Sequence, residues 1–236
     1  MTAGRGRARA SLRAIARRLE REYGEPSVRR SRDLVGELVG TILSQHTTDA
    51  SADAAYRRLR ERFPSWSAVA DGDRRTIAAA IRGAGLARTK AGRIRDVLGR
   101  IRRERGGVDL GFLRSMPTTE AIAYLTGFEG VGPKTAACVM LFGLGRDVMP
   151  VDTHVHRVVG RLGVIGRPST RERTFEALSG VVPPGKAHSL HVNLVRHGRA
   201  VCRARAPRCG DCVLRDRCGL GRRAAGRRGG SACDSG

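Results

Sequence analysis

Apolar residues recur along this chain at helical spacing and nowhere alternate over a strand's length. Leu12, Ile15, Ala16 and Leu19 share one face of a helix that Ser11 can cap and Gly24 can close after Tyr23. Residues 1–10 before it are basic and predict a frayed start. Asp33 opens a second helix with a wide stripe of Leu34, Val35, Leu38, Val39, Ile42 and Leu43, which runs into the polar stretch Ser44 to Asp49. Thr48 or Asp49 can cap a third helix carrying Ala54, Leu59 and Phe63, and Pro64 stops it. Short helices follow over 66–71 and 74–82. Gly83 to Lys90 then reads as a loop with an apolar residue exposed among basic ones.

Ile94, Val97, Leu98 and Ile101 mark the next helix, which Gly106-Gly107 ends. Phe112 and Leu113 lie in a connecting segment. Pro117 to Glu120 starts a helix through about Leu125, and a glycine hairpin with its second helix occupies about 127–143. Val155, Val158, Val159 and Leu162 give another helix, Phe175 and Leu178 one more, and Leu190, Leu194 and Val195 a last one. Ten or so short helices without strands predict an all-α fold. From about 221 the chain holds Gly, Arg and Ser with little apolar content, so 221–236 reads as a disordered tail.

Charge adds a partner. The chain of 236 residues carries a formal net charge of +23, which makes a polyanion the default ligand. Aromatic residues are only 4%, which excludes strings of stacking platforms for single strands. No apolar run is long enough to span a membrane, and the basic N-terminus lacks the apolar core of a secretory signal. A cytoplasmic address follows. Only three of the 45 basic residues are lysine: Lys90, Lys134 and Lys186. Arginine stays protonated, whereas lysine can lose its proton and attack as an amine.

One lysine stands at a suggestive place. In Phe128-Glu129-Gly130-Val131-Gly132-Pro133-Lys134-Thr135 the glycines permit a tight turn and Pro133 suits a first helical turn. Free N–H groups at that start would attract a phosphate. Asp152 opens the following helix in Val151-Asp152-Thr153-His154. Lys134 and Asp152 are therefore the candidate chemical pair, with the hairpin gripping DNA beside them.

Cys202, Cys209, Cys212 and Cys218 form C-x6-C-x2-C-x5-C within 17 residues. Four thiols this close in a cytosolic chain point to a metal centre rather than to disulfides. Zinc held by four thiolates and a four-iron, four-sulfur cluster both satisfy the spacing. Arg203, Arg205 and Arg208 lie between the first two cysteines and would form a basic knob for phosphate contact. Cys138 reads as a small buried residue, and Cys233 as a tail residue without a role.

These motifs together resemble endonuclease III of the helix-hairpin-helix DNA glycosylase superfamily. The resemblance covers about 11–218. It rests on Gly130-Val131-Gly132-Pro133-Lys134-Thr135-Ala136, on Val151 to Val158, on His197-Gly198-Arg199 and on the four cysteines. It implies a six-helix domain over 28–146 with the hairpin, and a second domain joining 1–27 to 147–220 around a [4Fe-4S] cluster. DNA would lie in a cleft between them. The implied activity is a base-excision-repair glycosylase and abasic-site lyase for oxidised pyrimidines in double-stranded DNA. Lys134 is the implied Schiff-base nucleophile and Asp152 its partner.

The expected DNA contacts are Gln45, His46, Leu86, Lys90, Gly130, Val131, Gly132, Arg203, Arg205 and Arg208. His46 aligns with a gap-filling polar residue and Leu86 with a wedge leucine. A monomer, nucleoid-associated in a prokaryote, is the expected state. Phe128-Glu129-Gly130 departs from the usual Leu-Pro-Gly, and the segment from Gly107 to Thr126 is longer than in the shortest relatives. The rival readings are a monofunctional glycosylase of the same superfamily, a DNA-binding module without catalysis and a small electron carrier.

Overall fold

The computed structural model describes residues 2–27, 31–166 and 168–226. Among these it contains twelve α-helices: α1 (Thr2–Tyr23), α2 (Leu34–Ser44), α3 (Asp49–Arg62), α4 (Trp66–Asp71), α5 (Arg74–Ala80), α6 (Ala87–Arg105), α7 (Thr118–Thr126), α8 (Pro133–Cys138), α9 (Thr153–Leu162), α10 (Arg171–Leu178), α11 (Ala187–Ala200) and α12 (Gly219–Gly226). No strand occurs among the described residues, only an isolated bridge between Val164 and Gly166. The all-α expectation holds. No helix among the described residues is long and apolar enough to cross a membrane.

The chain divides into two compact units, residues 29–146 and residues 1–28 with 147–236. In the first, α6 packs on α4, α5 and α2, and α2 packs on α3 and α8. Its core is the stripe read from sequence: Leu38, Val39, Ile42, Leu43, Ile94 and Leu98 are all at or below 1% exposure. Each such side chain contributes roughly 1.5–3 kcal/mol by leaving water. In the second, α11 packs on α1 and α9, burying Leu12, Ile15, Leu19, Val155, Val159, Leu190 and Leu194.

Short polar side chains start the helices as local chemistry requires. Asp33 Oδ1 accepts from Gly36 N–H at 2.7 Å, and both of its oxygens accept from Trp66 Nε1. Thr48, rather than Asp49, caps α3 by accepting from Ser51 N–H at 3.2 Å. α8 continues into a single π-turn over Val139–Gly143.

Two boundaries differ from expectation. Residues 2–10 are helical, not frayed, because Arg5 and Arg9 donate to Ser179 O and Gly180 O at 3.2 and 2.6 Å and so tie the first turns down. The segment after 218 forms α12, which packs on α9, so the tail is ordered through residue 226. The remainder of the proposed disordered tail, Cys233 included, lies outside the described residues.

Candidate active site and cysteine centre

Gly130 takes a left-handed backbone with φ of +76°, as a tight turn requires. A Cβ there would sit 2.6 Å from Arg93 Cδ, so the arginine lies across the turn. Phe128 and Val131 anchor the hairpin in the core at 4% and 3% exposure. Val131 N–H is spent on Phe128 O at 3.1 Å, and its side chain is buried. Neither group of Val131 is therefore placed as the expected DNA contact requires; it holds the turn instead. Gly132 is exposed and precedes α8, with Pro133 at the first helical position.

Lys134 is half-buried on α8. The other two lysines are occupied: Lys186 pairs with Glu20 at 2.9 Å and Glu25 at 3.4 Å, and Lys90 is bound to two carbonyls. The Lys134 amine makes no hydrogen bond or ion pair among the described residues. Its electrostatic neighbour is Glu37 on α2. Burial pushes the Glu37 carboxyl above its ordinary range, Lys134 opposing and Asp33 adding to the rise. Sequence reading missed Glu37, although an acid inside the apolar stripe of α2 was the available signal.

Asp152 stands at the N-terminus of α9, where Oδ1 accepts from Val155 N–H at 2.7 Å. This cap fixes the carboxylate and leaves its second oxygen for other work. Asp152 belongs to the unit of residues 1–28 and 147–236, and Lys134 to the other.

The loop after α2 is tied to the hairpin. Gln45 Nε2 donates to Gly130 O at 3.0 Å and to Thr135 Oγ1 at 3.2 Å. Next to it His46 is exposed in a left-handed conformation, φ +53°. Leu86 is also left-handed, φ +51°, and is 61% exposed, the large apolar side chain turned to solvent among the described residues. Such backbones cost a non-glycine residue about 1–2 kcal/mol.

Lys90 corrects an expectation. It is not in a surface loop but in the first turn of α6, 1% exposed, donating to Leu43 O at 2.7 Å and to Ala84 O. An ammonium enclosed by protein and used by two carbonyls does not meet a phosphate. The surface cations belong to arginine. An open groove of about 580 Å³ runs along α6 to the hairpin, lined by Arg74, Arg88, Arg93, Arg100 and Arg103 among others. Glu129 lines this same groove. Arg74 is engaged by Asp96 at 2.8 Å, and Arg100 by Glu104 and Gly127 O at 2.7 Å each. Arg93 Nε is buried with no partner among the described residues.

The four cysteines of 202–218 are unpaired thiols. Burial, and then the charges of Cys202, Cys218 and Cys209, push the Cys212 thiol up to about 11. A cationic centre among these thiols would offset that rise. Arg161 Nη1 donates to Cys202 Sγ at 3.3 Å, and His197 Nε2 lies 3.4 Å from Cys212 Sγ. His197 is 1% exposed, shares a hydrogen bond through Nδ1 with the Tyr23 hydroxyl at 2.9 Å, and is held by burial down to about 4. Among the described residues no three His, Cys, Asp or Glu side chains close on a single ion. The thiols and their donors fit a thiolate-held group by their chemistry.

Arg203, Arg205 and Arg208 are exposed on the loop between Cys202 and Cys209. Arg208 pairs with Asp211 at 2.6 Å, and Arg203 Nε donates to Ala200 O at 3.3 Å. The loop backbone is held from α9: Arg161 donates to Arg203 O and Ala204 O at 2.7 and 3.0 Å, and Arg157 to Cys202 O at 2.9 Å. Sequence reading missed both arginines, which no spacing distinguishes from their neighbours.

Known proteins resemble this chain in sequence and in fold. Residues 39–184 match the model of the HhH-GPD superfamily base excision DNA repair proteins. The chain is 37% identical over 162 residues to an Arabidopsis thaliana protein bearing the name of a DNA glycosylase, covering 69% of this chain and 55% of that one. It is 34% identical over 191 residues to endonuclease III of Sulfolobus acidocaldarius, covering 80% and 83% respectively. Its fold matches a solved structure of a non-covalent endonuclease III–DNA complex with TM-score 0.77 at 24% identity, over 92% of this chain and 98% of that chain. The family model matched over 39–184, together with the likeness to endonuclease III sequences over most of the chain, places this protein in the endonuclease III family of the HhH-GPD superfamily of base excision DNA repair proteins.

Proposed function

We propose that this base-excision glycosylase is bifunctional: it removes oxidised pyrimidines from duplex DNA and then nicks the strand at the abasic site. The observation that carries the reading is the state of its lysines. In a chain with 45 basic residues, Lys134 alone of three lysines has an amine without a hydrogen bond or ion pair among the described residues.

The damaged nucleotide turns out of the duplex. The lone pair of Lys134 Nζ forms a bond to C1′ as the bond from C1′ to the base breaks, and the base leaves with that electron pair. Loss of the amine proton and opening of the C1′–O4′ bond give a protonated imine. Asp152 stabilises the charge developing on the sugar and accepts a proton through the oxygen its cap leaves open. Removal of a C2′ proton then expels the 3′ phosphate by β-elimination, and water releases the sugar from Lys134. His46 fills the vacated gap and Leu86 wedges the opposite strand. Gly130, Gly132 and Arg205 contact the phosphates.

Cys202, Cys209, Cys212 and Cys218 hold a [4Fe-4S] cluster in this reading, which supplies a four-point staple under the arginine loop. Equal iron and sulfide, about four of each per chain, is the expected analysis of purified protein.

Borohydride trapping on an abasic duplex tests the chemistry. Lys134→Gln abolishes the covalent adduct while duplex binding persists, and Asp152→Asn slows turnover with binding retained. An adduct of undiminished yield in Lys134→Gln overturns the assignment. Base release without any adduct in the unaltered protein would make it a monofunctional glycosylase.

A further inference from the structure

Among the described residues Lys90 is the largest fully buried side chain, and the reaction as described does not use it. Its ammonium joins the C-terminal end of α2, through Leu43 O at 2.7 Å, to the loop before α6, through Ala84 O. Burial pushes it below the ordinary lysine range. The carbonyls it holds are close in sequence to the two exposed left-handed residues. Leu43 is three residues before His46, and Ala84 two before Leu86. The loops also meet directly: a Cβ at Gly85 would sit 3.4 Å from His46 O.

Residue type supports a specific task. The chain places arginine at nearly every basic position, yet keeps lysine here. A compact ammonium has three donors to satisfy in an enclosed site, whereas a guanidinium brings five in a rigid planar fork.

We propose that Lys90 is a positioning residue for DNA opening: it clamps the α2 end to the α6 loop and so fixes the spacing of His46 and Leu86. The proposal rests on the reading that these two side chains enter the opened duplex. Lys90 touches neither DNA nor the reacting atoms; it acts through the two loops. Without the clamp the left-handed backbones relax and the wedge loses its register.

The test uses a duplex with an abasic site and 2-aminopurine in the opposite strand, whose fluorescence reports unstacking. Lys90→Met is expected to lower both the fluorescence rise and kcat by roughly ten- to a hundredfold, with KM little changed. The same substitution in a Leu86→Ala background is expected to add little, because the group it positions is gone. Equal loss in both backgrounds, or an unchanged fluorescence rise, overturns the proposal. Lys90→Gln keeps a neutral amide with two N–H donors and is expected to fall between Lys90→Met and the unaltered protein. Failure of both variants to fold would assign Lys90 to stability alone and also overturn it. If the unaltered protein opens the duplex but traps no borohydride adduct, the lyase reading fails while the clamp stands.

Discussion

The hairpin at residues 127–135 and the arginine loop at 203–208 are held by opposite means. The hairpin is seated by apolar anchors, Phe128 and Val131, and by one glycine whose backbone admits the turn. The arginine loop has no apolar anchor of that kind among residues 203–208, which are exposed apart from Pro207. Its carbonyls are drawn to Arg157 and Arg161, and its two ends are cysteines. Apolar burial persists whatever the ionic strength. A loop fixed by charge-assisted hydrogen bonds weakens as salt rises.

That contrast can be broken by substitution. The largest effect is expected from Arg161→Ala, which removes donors to Arg203 O, Ala204 O and Cys202 Sγ. A loss of about 2 kcal/mol is expected, with faster hydrogen exchange over 202–208 and none over 128–136. Exchange rising equally in both segments would mean that the two are not held independently. Gly130→Ala comes next, with about 1–2 kcal/mol of destabilisation, since a Cβ at φ +76° would also meet Arg93. Here exchange should quicken over 128–136 only, and thermal melting gives the magnitude.

The smallest effect is a pH dependence beside Lys134. Burial raises the folded-state pKa of Glu37. Its contribution is therefore fully favourable below the unfolded value and is lost as pH rises through the folded one. Glu37→Gln should melt higher than the unaltered protein at neutral pH, and the gap should close as pH falls below the ordinary carboxylate range. A gap that widens on acidification would show that the carboxylate is held charged by a partner.

Most helices were legible from residues near in sequence. The stripe of α2, the caps at Asp33, Thr48 and Asp152, and the stop at Pro64 depend on neighbours within about four positions, which the helical repeat fixes. The four cysteines were legible for the same reason: their spacing is itself local. The Lys134 hairpin could be read because its glycines and proline sit beside the lysine they present.

What pairs across distance was not legible. Lys90 looked like one more surface cation in a basic loop, and only packing shows its ammonium at Leu43, 47 residues away. Gln45 meets Gly130 across 85 positions, and Arg5 and Arg9 turn a frayed start into helix by reaching Ser179 and Gly180. Glu37 gains its neighbour Lys134 in the same way. Sequence by itself determined which segments coil, where they start and which chemistry they carry, because those follow from backbone geometry and adjacent side chains. Only the tertiary structure decided which of many similar charges are buried, which are engaged and which lysine keeps an uncommitted amine. Those outcomes depend on desolvation and on partners brought together by the packing of helices.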